Sequence, residues 1–471
     1  MNNASRREFL RRTSALGLLR GAAPFGLSLA GIGAAAAASD PKDYRAIVCL
    51  FMRGANDCHN TVVPYDKAGY DGYAGARRDI AIARDALLPI KAANTPGREF
   101  GLHPSLGAMQ GLFDKGNAAI IANVGPLVVP IKDAATFKGT NIARPPKLFS
   151  HNDQEAIWQA FSPESAKMGW GGKMCDLLSS MNGKHLFTAI STSGNAVLLA
   201  SNKTIQYQIT NSGSVSINRL NASNIYGSTK GAEALREQIM GSQQLSQQQS
   251  GGDVLQQEYS TVVNRSIEAQ GLVSAALAKL PENDPRVMIP LDLSQDRLAQ
   301  QLRIVARMIG VRDDENMQQR RQVFFVTLGG FDTHDNQLAK QAELLGSVGR
   351  SVAYFQQCME QLGVSDKVTL FTASDFGRAL LNNGDGTDHG WGGHHFVVGG
   401  AVKGGRIYGQ FPTVALNTGT DVGNGRLLPT TSVDQYAATL ARWMGVSAGD
   451  LPLVLPNAGN FATTDLGFLN A

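Results

Sequence analysis

The chain has 471 residues, 43% of them hydrophobic, which is enough for one large α/β domain or for two to three smaller ones. Of its 43 basic and 39 acidic residues, residues 1–38 hold five arginines and one acid, so the rest of the chain has 38 of each sign. This balance gives no reason to expect nucleic acid or an anionic membrane as a partner. The four cysteines, Cys49, Cys58, Cys175 and Cys358, lack zinc-finger spacing. They can form two disulfides in an oxidising compartment or stay unpaired as small hydrophobic side chains.

The first residues match an export signal. The stretch SRREFLR, residues 5–11, fits the twin-arginine pattern, and an apolar segment rich in glycine and alanine follows it up to Ala38. Arg20 and the interrupting glycines argue against a permanent membrane span. We therefore expect residues 1–38 to be a signal peptide, the twin-arginine translocase to be the partner during export, and the mature protein to be periplasmic or secreted.

Short apolar runs of strand length recur along the chain. They lie at residues 44–52, 118–124, 322–328 and 367–373, and each has the length and β-branched content of a buried strand. A helical pattern at about 105–115 separates the first two, which is the rhythm of a parallel sheet with crossover helices. We predict a single α/β domain over residues 39–471.

The segment from about 190 to 310 has a different composition. Serine, threonine and asparagine dominate its first part, with a β-like run at 197–200, and residues 231–253 are polar and rich in glutamine. Two helical patterns, at about 255–280 and 295–309, complete it. This composition predicts an insertion on the α/β core.

Side chains that bind metals follow three of the four predicted strands. Asp57 follows the first strand, Asp332 and His334 the third, and Asp375 the fourth, with His389 in the glycine-rich loop beyond. Because the carboxyl ends of parallel strands lie at one edge of a sheet, we expect these side chains to share one site. Carboxylates mixed with imidazoles suit a divalent transition metal, zinc, manganese or iron, better than calcium. One or two such ions could clamp a phosphoryl or sulfuryl group.

These motifs also have structural interpretations. Asn56 and Asp57 can cap a turn, and Asp335 can cap the helix predicted to run to about residue 362. Ser150 can be the N-cap of a helix or a nucleophile assisted by the helix dipole. Arg53 and Arg378 can each hold an oxyanion through bidentate contacts or form a surface ion pair.

Seven motifs, in their order along the chain, resemble the exported bacterial family named domain of unknown function 1501. They are the twin-arginine leader, RGANDCHNTVVPY, LFSHNDQEAIWQ, GGFDTHDNQ, SDFGR, GTDHGWGGHHFVVGG and TTSVDQYAATLARWMGV. This family in turn resembles the alkaline phosphatase and sulfatase superfamily. The resemblance implies an alkaline phosphatase-like fold, a mixed or parallel sheet flanked by helices.

The resemblance also implies functional residues. The implied metal ligands are Asp57, Asp332, His334, Asp375 and His389. The implied catalytic residues are Ser150 as nucleophile, Arg378 and His394.

The chain departs from the superfamily pattern in two places. Phe376 stands where a histidine should follow Asp375, and the spacing from Asp332 to His334 is short. One metal site is therefore expected to be incomplete unless another histidine substitutes, for which the nearby candidates are His59, His394 and His395.

The implied function is that of an exported metal-dependent hydrolase acting on a phosphate or sulfate ester of a small molecule or glycan. The sulfatase signature of Cys or Ser, then Pro and Arg, is absent, which argues against a formylglycine sulfatase. The alternative is a non-catalytic, degenerate alkaline phosphatase-like binding or assembly protein of the cell envelope. Phe376 favours this alternative, whereas the dense Gly-Asp-His loop favours an enzyme.

Overall fold

The computed structural model describes residues 43–214 and 254–470, together with residues 229–231, 234, 237 and 238. The predicted signal peptide, residues 1–38, lies outside the described residues. Residues Arg45–Ala471 form one compact unit, distinct from the residues up to Tyr44. Within the described part of the chain, no helix is long and apolar enough to cross a membrane.

The strands are short, and the longest have eight residues. In chain order they are β1 (Arg45–Met52), β2 (Val62–Pro64), β3 (Leu88–Ile90), β4 (Phe100–Leu102), β5 (Ala118–Gly125), β6 (Ala189–Ser191), β7 (Tyr207–Thr210), β8 (Gly213–Ser214), β9 (Arg321–Leu328), β10 (Val368–Ser374), β11 (Arg378–Asn382), β12 (Thr387–His389), β13 (Gly393–Val398), β14 (Ile407–Tyr408) and β15 (Thr431–Ser432).

The α-helices range from single turns to 25 residues. They are α1 (Cys58–Thr61), α2 (Lys67–Arg77), α3 (Gly107–Asp114), α4 (Ala134–Lys138), α5 (His151–Ala160), α6 (Trp170–Leu178), α7 (Val254–Ala278), α8 (Arg297–Gly310), α9 (Gln337–Gln361), α10 (Val433–Met444) and α11 (Leu451–Val454).

One mixed sheet forms the centre of the fold. Its strand order is β14-β5-β13-β10-β1-β9-β6-β7-β8, and β15 pairs beside β5. Within the run β10-β1-β9-β6-β7, each strand is parallel to the next one. β13 is antiparallel to both β10 and β5. The small sheet β2-β4-β3 and the hairpin β11-β12 are separate from it.

The core explains why the central strands are continuous apolar runs. Every residue of β1 after Arg45 is buried, as expected for a strand covered on both faces. Ile47 and Phe51 belong to a cluster with Trp170 of α6 and Tyr436 of α10, so these two helices cover one face of the sheet. A capping box at Ser432 starts α10, as its sequence predicts.

The α/β class and the mixed sheet flanked by helices are confirmed. Each of the four predicted core strands ends within one residue of its observed bounds. The antiparallel strands β13 and β8 are the departures from a purely parallel sheet. All four cysteines are free and buried, so the disulfide alternative is wrong.

Two local predictions are also wrong. Residues 197–200 were expected to be β-like but include a 3-10 helix, Val197–Leu199, because the Leu198 N–H donates to the Gln159 side chain at 2.8 Å instead of to a neighbouring strand. Asp335 does not cap α9. The side chain of Asp385, in the glycine-rich loop, accepts from the Asn336 N–H at 2.9 Å at the start of that helix.

Candidate metal centre

Three adjacent parallel strands, β10, β1 and β9, end at the same edge of the sheet. The chain beyond β9 contains Asp332 and His334, and the chain beyond β10 contains Asp375. Beyond β1, the Gly54 N–H donates to the two carboxylate oxygens of Asp375 at 3.2 and 3.3 Å. Gly54 has a φ of +103°, and a Cβ there would lie 2.5 Å from the backbone nitrogen of Asp332. Only glycine lets these segments approach so closely.

Two further histidines reach this edge from outside the main sheet. His389 ends β12, where it pairs across the hairpin with Arg378 of β11. His151 is the first residue of α5. The hairpin loop lies directly against the segment after β9, since a Cβ at Gly386 would be 2.3 Å from the backbone of His334. The glycine-rich loop therefore has a packing role as well as a chemical one.

Donor atoms of His151, Asp332 and His389 lie within 4.8 Å of one another at this point. His334 lies beside two of them, and we name the four residues His151, Asp332, His334 and His389 the metal centre. Nε2 of His389 lies 3.1 Å from Nε2 of His151 and 3.0 Å from Nε2 of His334. Oδ1 of Asp332 lies 3.1, 3.4 and 3.7 Å from the Nε2 atoms of His334, His151 and His389 respectively.

The other ring nitrogens fix the tautomers of two of these histidines. Nδ1 of His389 donates to the carbonyl of Phe149 at 2.8 Å, and Nδ1 of His151 donates to Asp375 at 2.6 Å. The neutral rings therefore both carry a lone pair on Nε2, although these atoms face each other. His389 Nε2 has a single lone pair and two imidazole nitrogens within 3.1 Å, so at most one of them can donate a proton to it. A cation between the rings would satisfy all of them.

The spacing of His151, Asp332 and His389 fits three donors of one ion. Zinc binds imidazole nitrogen at about 2.0–2.1 Å, so the donors of a tetrahedral site lie about 3.3 Å apart. The separations among these three donors, 3.1, 3.4 and 3.7 Å, bracket this value, and Nε2 of His334 lies 3.0 and 3.1 Å from two of them. Three imidazoles with one carboxylate suit zinc, iron or manganese. The Asp332 and His334 side chains are 47% and 43% exposed, so the centre opens to solvent on their side.

Arg378 holds Asp332 in place. Its buried guanidinium donates from Nη1 to Asp332 at 2.8 Å and to the Gly54 carbonyl at 3.2 Å. Nε donates to the carbonyl and hydroxyl of Thr387 at 3.0 and 2.9 Å, and Nη2 donates to the same carbonyl. The Thr387 hydroxyl in turn donates to Gln337 at 2.6 Å. Because these contacts lie inside the protein, Arg378 positions Asp332. Its N–H groups are already engaged and are not free to bind a substrate anion.

The surroundings shift the pKa values within the centre. The hydrogen bond to Asp375 raises the pKa of His151. Burial lowers the pKa of His389, although its hydrogen bond to the Phe149 carbonyl opposes this. Burial would raise the pKa of Asp332, but the hydrogen bond and charge of Arg378 outweigh it and hold that pKa below its ordinary value. Asp332 is thus a carboxylate and His389 a neutral imidazole at neutral pH, the forms that bind metals.

Three residues beside the centre have left-handed backbone conformations. Phe149, whose carbonyl binds His389, has a φ of +71°, Ala55 has +69° and Asn336 has +46°. Such conformations cost about 1–3 kcal/mol each and occur preferentially at functional sites.

Asp57, predicted as a metal ligand, lies in a buried ion pair. Its two carboxylate oxygens each accept from Arg77 at 2.7 Å, and both side chains are fully buried. Gln337 donates to the same carboxylate, and the His59 N–H donates to it at 3.0 Å. Asp57 is thus the N-cap of α1, which is the structural alternative that its sequence allowed. The structure does not bring it to the metal centre.

Two other predicted residues have local partners. Asp375, predicted as a ligand, binds Nδ1 of His151 and therefore orients a ligand from outside the set of four donors. Ser150, predicted as the nucleophile, occupies the N-cap position of α5 without forming a side-chain cap bond. Its hydroxyl donates to Asp153 at 2.9 Å, and Asp153 also pairs with Lys147 at 3.2 Å.

His394, predicted as catalytic, belongs to a second, fully buried group with Cys58 and His59, whose possible donor atoms lie within 4.8 Å of one another. Both ring nitrogens of His59 and Nε2 of His394 are buried and have no hydrogen-bond partner among the described residues. Nδ1 of His394 accepts from the Asn123 N–H at 3.0 Å, so the neutral ring keeps its proton on Nε2. The Cys58 thiol donates to the Gly392 carbonyl at 3.5 Å, and burial raises the pKa of this thiol to about 12.

Phe376 occupies the place of the missing histidine as a packing residue. Its ring lies 4.7 Å from that of His151 and 4.9 Å from that of His389, measured between centroids. His395 does not substitute for it, because its buried ring stacks on Tyr436 with centroids 6.1 Å apart. Among the described residues, carboxylate and imidazole donors converge at one point, the metal centre.

His151 is the donor that sequence reasoning missed. It lies in the motif LFSHNDQEAIWQ, where the adjacent Ser150 is the more conspicuous residue because serine is a common N-cap and a common nucleophile. The one indication in the sequence was that His151 stands at the start of a predicted helix. The direction of a ring at a first helical turn depends on tertiary packing, which the sequence does not specify.

Comparison with known proteins gives the family but no activity. Residues 44–451 match the family described as "Protein of unknown function (DUF1501)". No curated protein matches the sequence. Among solved structures, the chain is similar to BT1596, described as a 2-O GAG sulfatase, with 9% identity and a TM-score of 0.30 over 86% of this chain and 72% of that one. The family match spans most of the sequence, and the chain therefore belongs to the DUF1501 family.

Proposed function

We propose that the protein is an exported, metal-dependent hydrolase of phosphate or sulfate esters with an alkaline phosphatase-like fold. The metal centre would hold one divalent ion of zinc, manganese or iron. The observation that supports this most is the facing pair of His151 and His389 Nε2 atoms, whose tautomers are fixed with both lone pairs toward one point. When bound, the ion would supply Lewis-acid activation of water and of a phosphoryl or sulfuryl oxygen. Export rests on the twin-arginine pattern of residues 5–11.

The residues around the centre prepare it for this chemistry. Asp375 keeps the His151 proton on Nδ1, and Arg378 keeps Asp332 ionised and aimed at the centre. Such outer contacts fix ligand orientation and increase ligand basicity. The exposed side of the centre, beside Asp332 and His334, gives a substrate access.

We assign the attack on the ester to a water molecule. Ser150 is the alternative, but its hydroxyl is engaged with Asp153 at 2.9 Å, and no described contact joins its oxygen to the donors of the metal centre. Ser150→Ala is therefore expected to keep turnover within a few-fold of the wild type. A complete loss of turnover in a folded, metal-loaded Ser150→Ala protein would instead assign the serine as nucleophile.

The function is tested by hydrolysis of p-nitrophenyl phosphate and p-nitrophenyl sulfate. The purified protein would be loaded with zinc, manganese or iron and compared with His334→Ala, which removes one donor, and with His185→Ala, whose ring binds the Ser179 carbonyl outside the centre. We expect turnover of one ester class that His334→Ala abolishes and His185→Ala retains. Turnover that survives in His334→Ala would contradict the assignment of the centre.

A second candidate function is a non-catalytic binding or assembly protein that uses the centre for structure. The packing of Phe376 on His151 and His389 favours it, because an apolar ring replaces the donor of a second ion. A protein that takes up one metal but hydrolyses neither ester would support this function over the hydrolase.

A further inference from the structure

We infer that Arg426 binds the anionic group of the substrate beside the metal centre. This inference rests on the proposed function and adds to it the residue that would select phosphate or sulfate esters over neutral ones. The starting observation is that Arg426 contacts two residues that form or support the centre, His389 and Phe149.

Those contacts fix the guanidinium while leaving its outer edge free. Nε of Arg426 donates to the carbonyl of His389 at 2.8 Å, and the guanidinium carbon lies 4.7 Å from the centroid of the Phe149 ring. In the described residues, Nη1 and Nη2 have no hydrogen-bond partner and no carboxylate pairs with them. Arg426 is half-buried, and among the described residues only a carbonyl oxygen and an aromatic ring face its positive charge. An oxyanion would therefore add two charge-assisted hydrogen bonds to this guanidinium.

The other two arginines at the centre cannot serve this purpose as well. Arg378 is buried, and its hydrogen bonds go to Thr387, Gly54 and Asp332. Arg53 pairs with Glu155 at 2.9 Å. To bind Arg378 or Arg53, an anion would have to displace an existing hydrogen-bond partner. At Arg426 it would displace none.

A rigid loop presents Arg426. Its own backbone closes a turn, in which the Arg426 N–H donates to Gly423 at 3.1 Å and its carbonyl accepts from Val422 at 3.0 Å. The Asp421 carboxylate accepts from the N–H groups of Gly423 and Gly425 at 2.8 and 2.9 Å. A preorganised loop lowers the entropy lost on binding, which favours a recognition role over a mobile surface charge.

The position of Arg426 complements a substrate with anionic oxygens. One part of the anion would contact the ion of the metal centre, and its remaining oxygens would contact the arginine fork. Phosphate and sulfate share this chemistry, and separate titrations with each anion distinguish them.

The test is calorimetric titration of the metal-loaded protein with inorganic phosphate and, separately, inorganic sulfate. The variants are Arg426→Ala, Arg426→Lys and the matched control Arg144→Ala. Arg144 has the same two kinds of contact, an aromatic ring (Phe137, at 5.2 Å) and a backbone carbonyl (Gly139), but is solvent-exposed at a different loop. Metal content is measured for each protein before titration.

We expect Arg426→Ala to weaken binding of at least one anion by about tenfold or more, the loss typical of charge-assisted hydrogen bonds. Arg426→Lys should fall between it and the wild type because lysine keeps the charge but not the fork. Arg144→Ala should bind as the wild type does. Stronger binding of one anion identifies the ester class.

The failures of the two proposals are distinguishable. Wild-type affinity in a fully metal-loaded Arg426→Ala protein, or no binding of either anion to the loaded wild type, would overturn the role of Arg426 and leave the metal centre standing. A wild-type protein that takes up no metal would overturn the proposed function first, before any anion is added.

Discussion

Nδ1 of His151 donates to Oδ2 of Asp375 at 2.6 Å, and this contact joins α5 to the chain beyond β10. It aims the opposite ring nitrogen at His389 and gives a ligand histidine the carboxylate partner that metal sites commonly use. The first prediction concerns this bond.

Asp375→Asn is expected to weaken metal binding without abolishing it. Asparagine keeps the shape and can still accept a hydrogen bond, but it removes the charge that supports the His151 tautomer. The dissociation constant of the metal should rise by about 10–100-fold, the usual cost of losing an outer-shell partner. Competition with a chelator of known affinity measures it, and Asp366→Asn, at an exposed site, is the control. An unchanged constant would show that Asp375 does not orient His151 for metal binding.

Thr387→Val tests how Arg378 is positioned. Valine has the same shape but lacks the hydroxyl that accepts from Arg378 Nε at 2.9 Å and donates to Gln337 at 2.6 Å. We expect a loss of about 1–3 kcal/mol in the free energy of unfolding, from buried groups left without partners. Metal affinity should fall as well, because Asp332 loses its fixed neighbour. Denaturant titration and chelator competition measure the two effects, with exposed Thr140→Val as control. A loss of stability with no change in metal affinity would show that the contact has a structural role alone.

Asp57→Asn is expected to destabilise the fold strongly. The change leaves the Arg77 charge buried without a counter-ion, and breaking such a pair typically costs about 3–5 kcal/mol. Metal content of the folded fraction should stay the same, because Asp57 lies outside the metal centre. Urea denaturation and elemental analysis of the same sample provide both numbers. Metal loss with unchanged stability would restore Asp57 as a ligand.

Asp434 predicts a pH dependence of stability. Burial near the start of α10 raises the pKa of Asp434 from 3.8 to about 7, although Asn457 opposes this by donating to its carboxylate. Because the folded pKa lies above the unfolded one, its stabilising contribution is complete below about pH 4 and is lost as pH rises through about 7.

Asp434→Asn should therefore flatten this dependence. Relative to the wild type, the variant should gain up to about 4 kcal/mol in free energy of unfolding between pH 4 and pH 8. Denaturation curves across this range measure the difference, with Asp114→Asn, exposed at the end of α3, as control. Parallel curves for Asp434→Asn and the wild type would show that the carboxyl does not titrate in this range.

The fold was predictable where burial alone determines the pattern. Strands β1, β5, β9 and β10 are apolar on both faces, so their sequences are continuous hydrophobic runs with clear ends. The run at 197–200 has a similar composition, but its backbone does not pair with any strand that the structure describes. The Leu198 N–H, for example, donates to the side chain of Gln159. The composition of an apolar run does not show whether its backbone bonds to a strand or to a side chain.

The site was predictable to the extent that strand ends determine it. Asp332, His334 and His389 do converge, because β9 and the loop after β10 leave the sheet at one edge. Asp57 follows a strand at the same edge, yet it turns into the core to pair with Arg77, eleven residues into α2. His151 arrives on a helix that begins far from any of these strands in sequence. Contacts between residues distant in sequence determine both the direction of Asp57 and the position of His151.

The most direct test of the metal centre is elemental analysis of the protein purified from the exported fraction. The wild type would be measured beside His151→Ala, the donor that the structure adds, and His185→Ala as a histidine control, each with a thermal denaturation curve to establish folding. We predict about one equivalent of zinc, manganese or iron in the wild type and in His185→Ala, and loss of that metal in folded His151→Ala. A wild type without metal, or a His151→Ala protein that keeps its full equivalent, would contradict a metal centre built on these four donors.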